Sequence, residues 1–273
     1  MSPRWEDVNA RARGLGTHLL DRRSLEALAA APDLPALVEG LARAGIAIGA
    51  ERGPADAASV EAGIRMWSAG LLRTLERWVG SRSDALPLVF DDEDRRSIRA
   101  LVRGAVAHVP AAGRLFGLLP TPALPPAALE ALAALATVEE IAALLAAWRH
   151  PFAPAAAAVL GAEPDLLAFE RALGEVARRR AERAARRSGS QALRRLVAEL
   201  FASEPSVDEG GELRARIRRL TREVRLTPLD PLTTLWVVLR LRGQVIDLQR
   251  IAWSVTLGAP RARLHDRWIS VAA

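Results

Sequence analysis

The sequence contains no cysteine, no lysine and no tyrosine. Without cysteine the chain forms no disulfide bonds, and thiolate catalysis and cysteine zinc sites are excluded. Without lysine, all 38 basic residues are arginine, so the formal net charge of +6 rests on guanidinium groups. That excess is compatible with nucleic acid, anionic lipid headgroups or an acidic protein partner, and net charge alone does not choose among them.

Long apolar runs are also missing. The nearest candidate is the alanine-rich stretch 123–149, which is interrupted by Pro125, Pro126, Glu130 and Glu139. A membrane-spanning helix needs roughly 18 or more predominantly apolar residues, so no transmembrane segment is predicted. The opening MSPRWEDVNARARG carries charges of both signs and no apolar core, which argues against a signal peptide. We therefore expect an intracellular protein that is soluble or lies against a membrane.

The residues that are abundant favour helix. Half of the 273 residues are hydrophobic, which allows a sizeable core, and the dominant alanine, leucine, arginine and glutamate have high helix propensity. No segment shows the alternation of a half-buried strand. We predict an all-α fold with a proline-rich loop at 110–126. The predicted helices are 3–20, 24–31, 34–44, 57–80, 91–108, 127–136, 138–149, 163–187, 191–202, 210–226, 230–257 and 261–270.

An internal repeat relates two of the predicted helix pairs. LEALAAAPDLPALVEGLARAG (25–45) aligns without a gap onto LEALAALATVEEIAALLAAWR (129–149), an offset of 104 residues. Asp33 and Thr137 occupy equivalent N-cap positions, and Thr137 with Glu140 is predicted to form a capping box. Two alanine-leucine helices could resemble each other by chance in this composition, but the shared caps argue for repetition.

A weaker repeat pairs DDEDRRSIRALVRG (91–104) with DPLTTLWVVLRLRG (230–243). Repeated helical units stack because neighbours then bury faces that one unit cannot bury alone. We predict pseudo-repeated helical bundle units within a single all-helical domain, 1–273. The approximate repeat boundaries are 1–110, 111–203 and 204–273.

The sequence offers no recognisable catalytic, cofactor-binding or metal-binding motif. None of the histidines has the spacing of a metal site such as HExxH; they are His18, His108, His150 and His265. The segment GLGTH lacks the spacing and the lysine of a phosphate-binding loop. The acidic cluster 91–94 is interpreted as dipole stabilisation at a helix start rather than as a metal site. We predict no catalytic residue, no cofactor and no metal.

The strongest electrostatic feature is the arginine-rich run EVARRRAERAARRSGSQALRR (175–195). Its arginines are spread around a helix with alanines between them, and nearby aromatic residues that could stack on bases are lacking. The ordinary interpretation is a solvated helix, followed by contact with an acidic protein or a headgroup, with nucleic acid last. The candidate partner contacts on this helix are Arg179, Arg183 and Arg186.

A second candidate surface lies in LRGQVIDLQRIAWSVTLGAP (241–260). Gln244, Asp247 and Arg250 recur every three residues beside an aliphatic stripe, which predicts an amphipathic helix with a polar ladder along one side. Gly258 supplies a helix stop. The ladder is either an ordinary solvated face with an i,i+3 ion pair or part of a partner-binding wall.

Several of these features resemble the C-type subunit of the A/V-type ATPase and ATP synthase, which is equivalent to the d-type subunit of the eukaryotic vacuolar enzyme. Members open with Arg-x-Arg-x-Leu, carry two helix pairs, and commonly end with Glu-x-x-x-Asn-Leu-Arg-x-Ile before a glycine and a closing helix. The resembling segments are ARARGLGTHLL (10–20), the helix pairs at 24–44 and 128–149, the segments 91–103 and 230–242, and QVIDLQRI (244–251).

This resemblance implies an all-helical funnel or socket without an active site. Such a rotor subunit lies on the cytoplasmic face of the membrane, links the central stalk to the proteolipid ring, and transmits torque for proton or sodium transport. The ladder Gln244, Asp247 and Arg250 would then face the stalk, while arginines would meet acidic ring loops or lipid headgroups. The alternative is a helical-repeat scaffold whose arginine-rich helix binds an acidic protein or nucleic acid.

Overall fold

The computed structural model describes residues 5–48, 56–80, 87–157, 165–202, 209–259 and 268–271. Within these residues all regular structure is α-helical and no strand is present, which confirms the predicted all-α class. The helices of this part of the chain are α1 (Glu6–Gly16), α2 (Arg22–Ala29), α3 (Leu34–Arg43), α4 (Ala57–Val79), α5 (Pro87–Val106), α6 (Ala111–Arg114), α7 (Pro126–Ala134), α8 (Val138–Ala147), α9 (Ala153–Ala157), α10 (Leu166–Arg187), α11 (Gln191–Ala202), α12 (Glu209–Leu226) and α13 (Leu232–Thr256).

The helices group into two compact units. Unit 1 combines Met1–Gly80 with Glu204–Ala273, and unit 2 is Ser81–Ser203. Unit 2 is therefore continuous in sequence, whereas unit 1 is assembled from the two ends of the chain. The division of one domain into three repeats stays a prediction.

Helix α13 is the central element of unit 1. It contacts α1, α2, α3, α4 and α12, and it buries neighbouring residues on every side, as in the run from Leu232 to Leu235. Because other helices surround it, α13 has no continuous polar face. The prediction that 241–260 is amphipathic, with a polar ladder along one side, is therefore wrong in its pattern. The predicted helix bounds, 230–257, are close to those observed. Gly243 does not break the helix.

Unit 2 is built around the pairing of α5 with α10. Helices α7 and α8 pack on α5, and the short α9 joins α8 to α10. The largest side chains of its core include Ile98, Leu101, Phe152 and Phe169, each almost fully buried. This core includes residues of both α5 and α10, so apolar contacts hold these two helices together.

The helix pairs predicted to repeat at an offset of 104 residues correspond closely. Helix α3 starts and ends at positions equivalent to those of α8, Leu34–Arg43 against Val138–Ala147. Asp33 Oδ1 accepts the N–H of Ala36 at 2.8 Å, and Thr137 Oγ1 accepts the N–H of Glu140 at 3.2 Å. The predicted capping box at Thr137 is present.

The two pairs also end in the same way. Gly45 and Arg149, at equivalent positions, have φ angles of +80° and +53°. The residue after each donates its backbone N–H to a carbonyl of the last helical turn at 2.9 Å, Ile46 to Leu41 and His150 to Leu145. This is the bond of a Schellman-type helix end. The repeat therefore extends from the cap through the helix to its termination.

The weaker repeat does not match at the helix starts. Asp91 lies inside α5, which begins at Pro87, whereas Asp230 precedes α13, which begins at Leu232. The predicted helix 261–270 lies outside the described residues as far as position 267, and the residues that follow form a turn rather than a helix.

Candidate functional site

Gln244, the first member of the predicted ladder, is completely enclosed within unit 1. Its Oε1 atom accepts the backbone N–H of Leu20 at 2.8 Å, so it satisfies a donor in the turn between α1 and α2. Its Nε2 atom is buried and has no hydrogen-bond partner among the described residues. The side chain therefore fixes the end of the α1 turn against the middle of α13.

Asp247, the second member, is also completely enclosed. Its Oδ2 atom accepts the backbone N–H of Ser270 at 2.9 Å and the Ser270 hydroxyl at 2.8 Å. The N–H of Ile269 donates to the same carboxylate at 3.1 Å. Burial raises the pKa of Asp247, and the hydrogen bonds from Ser270 and Ile269 and the charge of Arg250 oppose that rise. The carboxylate thus anchors the segment 268–271 onto α13.

Arg250, the third member, is only partly buried. Its positive charge favours the ionised form of Asp247 and so opposes the rise in the pKa of that carboxyl. The structure thus brings the three predicted residues together, but two of them bind their own chain from inside the fold. Contact between this ladder and a partner stays a prediction.

The arginine-rich run forms α10, whose start lies three residues after the predicted one. Asp165 caps it by accepting the N–H groups of Leu167 and Ala168, each at 3.0 Å. Along the helix, Arg178 bonds to Glu175 at 2.9 Å and to Glu182 at 2.6 Å. The bonds from Arg179 and then Arg178 lower the pKa of Glu175. Much of the positive charge at the middle of α10 is therefore neutralised within the helix.

Arg180 points to the other side of α10 and joins it to α5. Its Nε and Nη2 atoms donate to the two carboxylate oxygens of Asp91, at 2.6 and 3.0 Å. A second ion pair, between Arg103 and Glu170, joins the same two helices. Burial raises the pKa of Asp91, while the bond from Arg180 opposes the shift. Arg180 and Arg103 therefore join α5 to α10, and both guanidinium groups are already paired with carboxylates of unit 2.

Arg179, Arg183 and Arg186 are exposed, and we call them the arginine stripe. Spacings of four and three residues place them along one side of α10. Arg179 also pairs with Glu175, and the Nε atom of Arg183 donates to the carbonyl of Arg179 at 3.3 Å. All three residues of this helix that were predicted to contact a partner therefore lie on the surface of unit 2.

A groove of about 400 Å³ runs between α10 and α11 beside the stripe. Arg178, Arg186 and Arg194 line it together with Glu182, over a floor that includes Val197. Because Arg178 is paired with Glu175 and Glu182, the positive charge of this edge comes from Arg186 and Arg194.

A buried polar cluster in unit 2 was missed by the sequence reasoning. Asp94 accepts the Thr121 hydroxyl at 2.5 Å, and its other oxygen lies 3.4 Å from Nε2 of His150. All three side chains are almost fully buried. The prediction that the acidic residues at 91–94 stabilise a helix start is therefore wrong. Helix α5 begins earlier, at Pro87, and most of these carboxylates are buried. The partners come from loops far along the chain, so no local pattern indicated them.

Neither a metal centre nor a membrane-spanning helix is present in the described residues. They contain no group of three or more histidine, aspartate or glutamate side chains arranged to hold a metal ion. None of the helices in this part of the chain is long and apolar enough to cross a membrane.

Comparison with protein-family models matches residues 8–204 to a model described as ATP synthase (C/AC39) subunit. The matched range takes in all of unit 2 and most of the N-terminal part of unit 1, and it ends before α12 and α13. No curated protein matches the chain. The arginine stripe lies inside the matched range, whereas Gln244, Asp247 and Arg250 lie outside it.

Proposed function

The chain belongs to the ATP synthase (C/AC39) subunit family, and from this premise we propose that it is the rotor subunit linking the central stalk of a rotary ATPase to its membrane proteolipid ring. In this role the protein carries out no chemistry of its own. It transmits torque between the nucleotide-hydrolysing part and the ring that moves protons or sodium ions. The family match over 8–204 is the observation that carries the proposal.

A torque-transmitting part must resist deformation, and the inner bonding of unit 1 supports that role. Glu61 on α4 accepts hydrogen bonds from Gln249 at 3.4 Å and from Trp253 at 3.2 Å, both on α13. Arg65 pairs with the same carboxylate at 2.6 Å. Buried networks of this kind rigidify a core when their members are paired. With Gln244 and Asp247, they tie α13 to three other segments of unit 1.

We place the protein at the cytoplasmic face of the membrane, held there by the complex. The arginine stripe then faces an acidic surface of a partner subunit in the assembly. Each exposed guanidinium contributes modestly and is screened by salt, so the stripe adds orientation and rate of association more than affinity.

The ladder needs a revised role in this proposal. Gln244 and Asp247 hold the wall of unit 1 from inside, and Arg250 is the member that reaches a stalk subunit. Charge reversal at Asp247 would test folding rather than binding, because it places a cation against the backbone N–H groups of Ile269 and Ser270. Arg250→Glu is the variant that tests the interface.

The first experiment is recovery of partners. The tagged chain is captured from membranes of its host with mild detergent after nuclease treatment, and bound proteins are identified by mass spectrometry. The proposal expects both the proteolipid and central-stalk subunits. Capture of other partners without either of these would overturn it.

The second experiment tests the arginine stripe with matched variants. Arg183→Glu with Arg186→Glu reverses two charges on the stripe, and Arg218→Glu with Arg222→Glu reverses two exposed charges on α12. We expect the first variant to recover fewer partner subunits than the native chain at low salt, because charge reversal replaces attraction by repulsion, and the second to recover them at the native level. Equal losses would show that net charge, rather than this surface, controls assembly.

A further inference from the structure

A cavity of about 420 Å³ opens on the surface of unit 1, between α1, α12 and α13. Three arginines, Arg13, Arg225 and Arg240, line it, and no aspartate or glutamate is among the described residues of its wall. Cavities of this volume are within the range that holds small molecules. The site is independent of the arginine stripe, which belongs to the other unit.

Arg240 is the least expected of the three because it lies in the middle of α13 and is partly buried. Its guanidinium lies over the ring of Trp236, 4.9 Å from the centroid. Among the described residues its hydrogen-bond partner is the carbonyl of Ser270, at a long 3.4 Å. Burial lowers the pKa of Arg240. A desolvated cation ordinarily has a carboxylate or another anion beside it.

Arg13 and Arg225 have a partial explanation in the helix dipoles. They lie in the last turns of α1 and α12, where the carbonyl ends carry about half a negative charge each. These two half charges neutralise about one of the three guanidinium charges. The cavity therefore retains an excess of about two positive charges. Arg240 lies in the N-terminal half of α13, too far from the C-terminal carbonyls to be stabilised by the dipole of that helix.

Several of the side chains that frame the cavity are hydrogen-bonded within unit 1 before any ligand arrives. Trp236 donates its Nε1–H to the hydroxyl of Thr221 at 3.0 Å, and that hydroxyl donates to the carbonyl of Ile217 at 2.8 Å. Arg13 uses one of its donors on the carbonyl of Val224 at 3.3 Å. Pre-organisation of this kind lowers the entropy cost of binding, and the remaining guanidinium donors suit the oxygens of a phosphate.

We propose that this cavity binds a small phosphorylated anion through Arg13, Arg225 and Arg240. One carboxylate would leave most of the positive excess uncompensated, whereas a diphosphate group supplies more than one negative charge and several acceptor oxygens. The phosphate group is the recognised chemistry, whether it belongs to a soluble molecule or to a lipid headgroup. This inference does not depend on the rotary role, since the isolated chain carries the whole site.

Isothermal titration of the isolated full chain with inorganic pyrophosphate tests the proposal. We expect binding that weakens at high salt, and that falls at least about tenfold in Arg225→Gln, since a hydrogen bond to a charged group is lost. Arg222→Gln is the matched control, because it removes the same charge from an exposed position on the same helix. It should bind pyrophosphate as the native chain does. Arg225 is exposed, so its variant should keep the native circular dichroism and unfolding temperature.

A second arm separates the two sources of phosphate. Sedimentation with phosphatidylcholine vesicles containing phosphatidylinositol phosphate, with and without pyrophosphate, measures competition for the cavity. Pyrophosphate binding without vesicle binding supports a soluble ligand, and vesicle binding that pyrophosphate displaces supports a headgroup. Absence of pyrophosphate binding, or equal weakening in the Arg225 and Arg222 variants, would overturn the proposal.

Discussion

At the scale of single residues, Asp247 shows how unit 1 uses a charge in its interior. The carboxylate accepts hydrogen bonds from two backbone N–H groups and one hydroxyl, which favour the ionised form. Burial acts in the opposite direction and is the larger effect, so the pKa of Asp247 is raised. The folded protein therefore holds this proton more tightly than the unfolded chain does.

This shift predicts the sign of a pH dependence. A raised pKa contributes stability that is present below the ordinary value of about 4 and is lost as pH rises through the raised value. Asp247→Asn removes the titration. The free energy of unfolding of the native chain minus that of the variant should therefore fall as pH rises from about 4 toward 7. Urea unfolding at a series of pH values measures it, and other groups such as Asp91 cancel in the difference. A constant or rising difference would contradict the assignment.

Gly243 gives a second residue-scale prediction. A Cβ atom there would lie 3.0 Å from the backbone of Ser270, which Asp247 holds in place. Alanine improves helix propensity by about 1 kcal/mol, but overpacking against a fixed backbone costs about 1–3 kcal/mol. We expect Gly243→Ala to lower the free energy of unfolding by about 1 kcal/mol in urea.

The control for Gly243 is Gly70→Ala in α4, where a Cβ atom meets nothing within 4 Å. Gly70 lies in the same unit as Gly243, so both substitutions report on the unfolding of unit 1. Gly70→Ala should raise the free energy of unfolding by about 0.5–1 kcal/mol. Similar effects of the two substitutions would show that the approach of Ser270 to α13 does not constrain position 243.

The candidate residues also show where sequence reasoning stops. The i,i+3 spacing of Gln244, Asp247 and Arg250 correctly places them on one side of a helix. The burial of Gln244 and Asp247 was not predictable from that spacing, because the groups that satisfy them come from Leu20 and from 268–271. A polar residue at a buried position looks the same in sequence as one on a solvated face until its partners are known.

At the scale of helices, helix propensity together with capping and helix-terminating residues predicted most of the long helices. Caps and proline or glycine stops located α3, α8 and α11 to within about two residues. Two short helices were missed, α6 within the predicted loop and α9 after His150. Both are five residues or fewer, too short to show a periodic pattern, and their formation depends on packing rather than on local preference.

Comparison of the two repeated helix pairs leads to a prediction about the residues that end them. Gly45 and Arg149 end equivalent helices with positive φ angles, but a side chain in this region costs about 1–2 kcal/mol. Gly45→Ala should lower the free energy of unfolding by about 1 kcal/mol. Arg149→Gly should raise it by about 0.5 kcal/mol, since relief of strain exceeds the added entropy of the unfolded chain.

Urea unfolding followed by circular dichroism measures both changes. Opposite signs at the two positions would confirm that the pairs terminate by the same device. Destabilisation in both variants would instead indicate that the Arg149 side chain contributes contacts that outweigh its backbone strain.

At the scale of the whole molecule, the order of the chain distinguishes the two units. Unit 2 runs continuously from Ser81 to Ser203 and has its own core, with Leu132, Ile141 and Phe152 fully buried. Unit 1 requires both ends of the chain because its central helix, α13, lies after unit 2. The family match spans 8–204 and ends before that helix, so the matched segment alone lacks the element around which α1 and α4 pack.

This order predicts how the chain can be divided. A fragment of 81–203 should be helical by circular dichroism and unfold cooperatively in urea, since its core is contained within it. A fragment of 1–80 should not, because α1, α2, α3 and α4 would expose the apolar faces that they bury against α13. Adding a separate 204–273 fragment should restore helical content and cooperative unfolding to 1–80. Independent folding of 1–80, or failure of 81–203 to unfold cooperatively, would show that the units do not correspond to folding units.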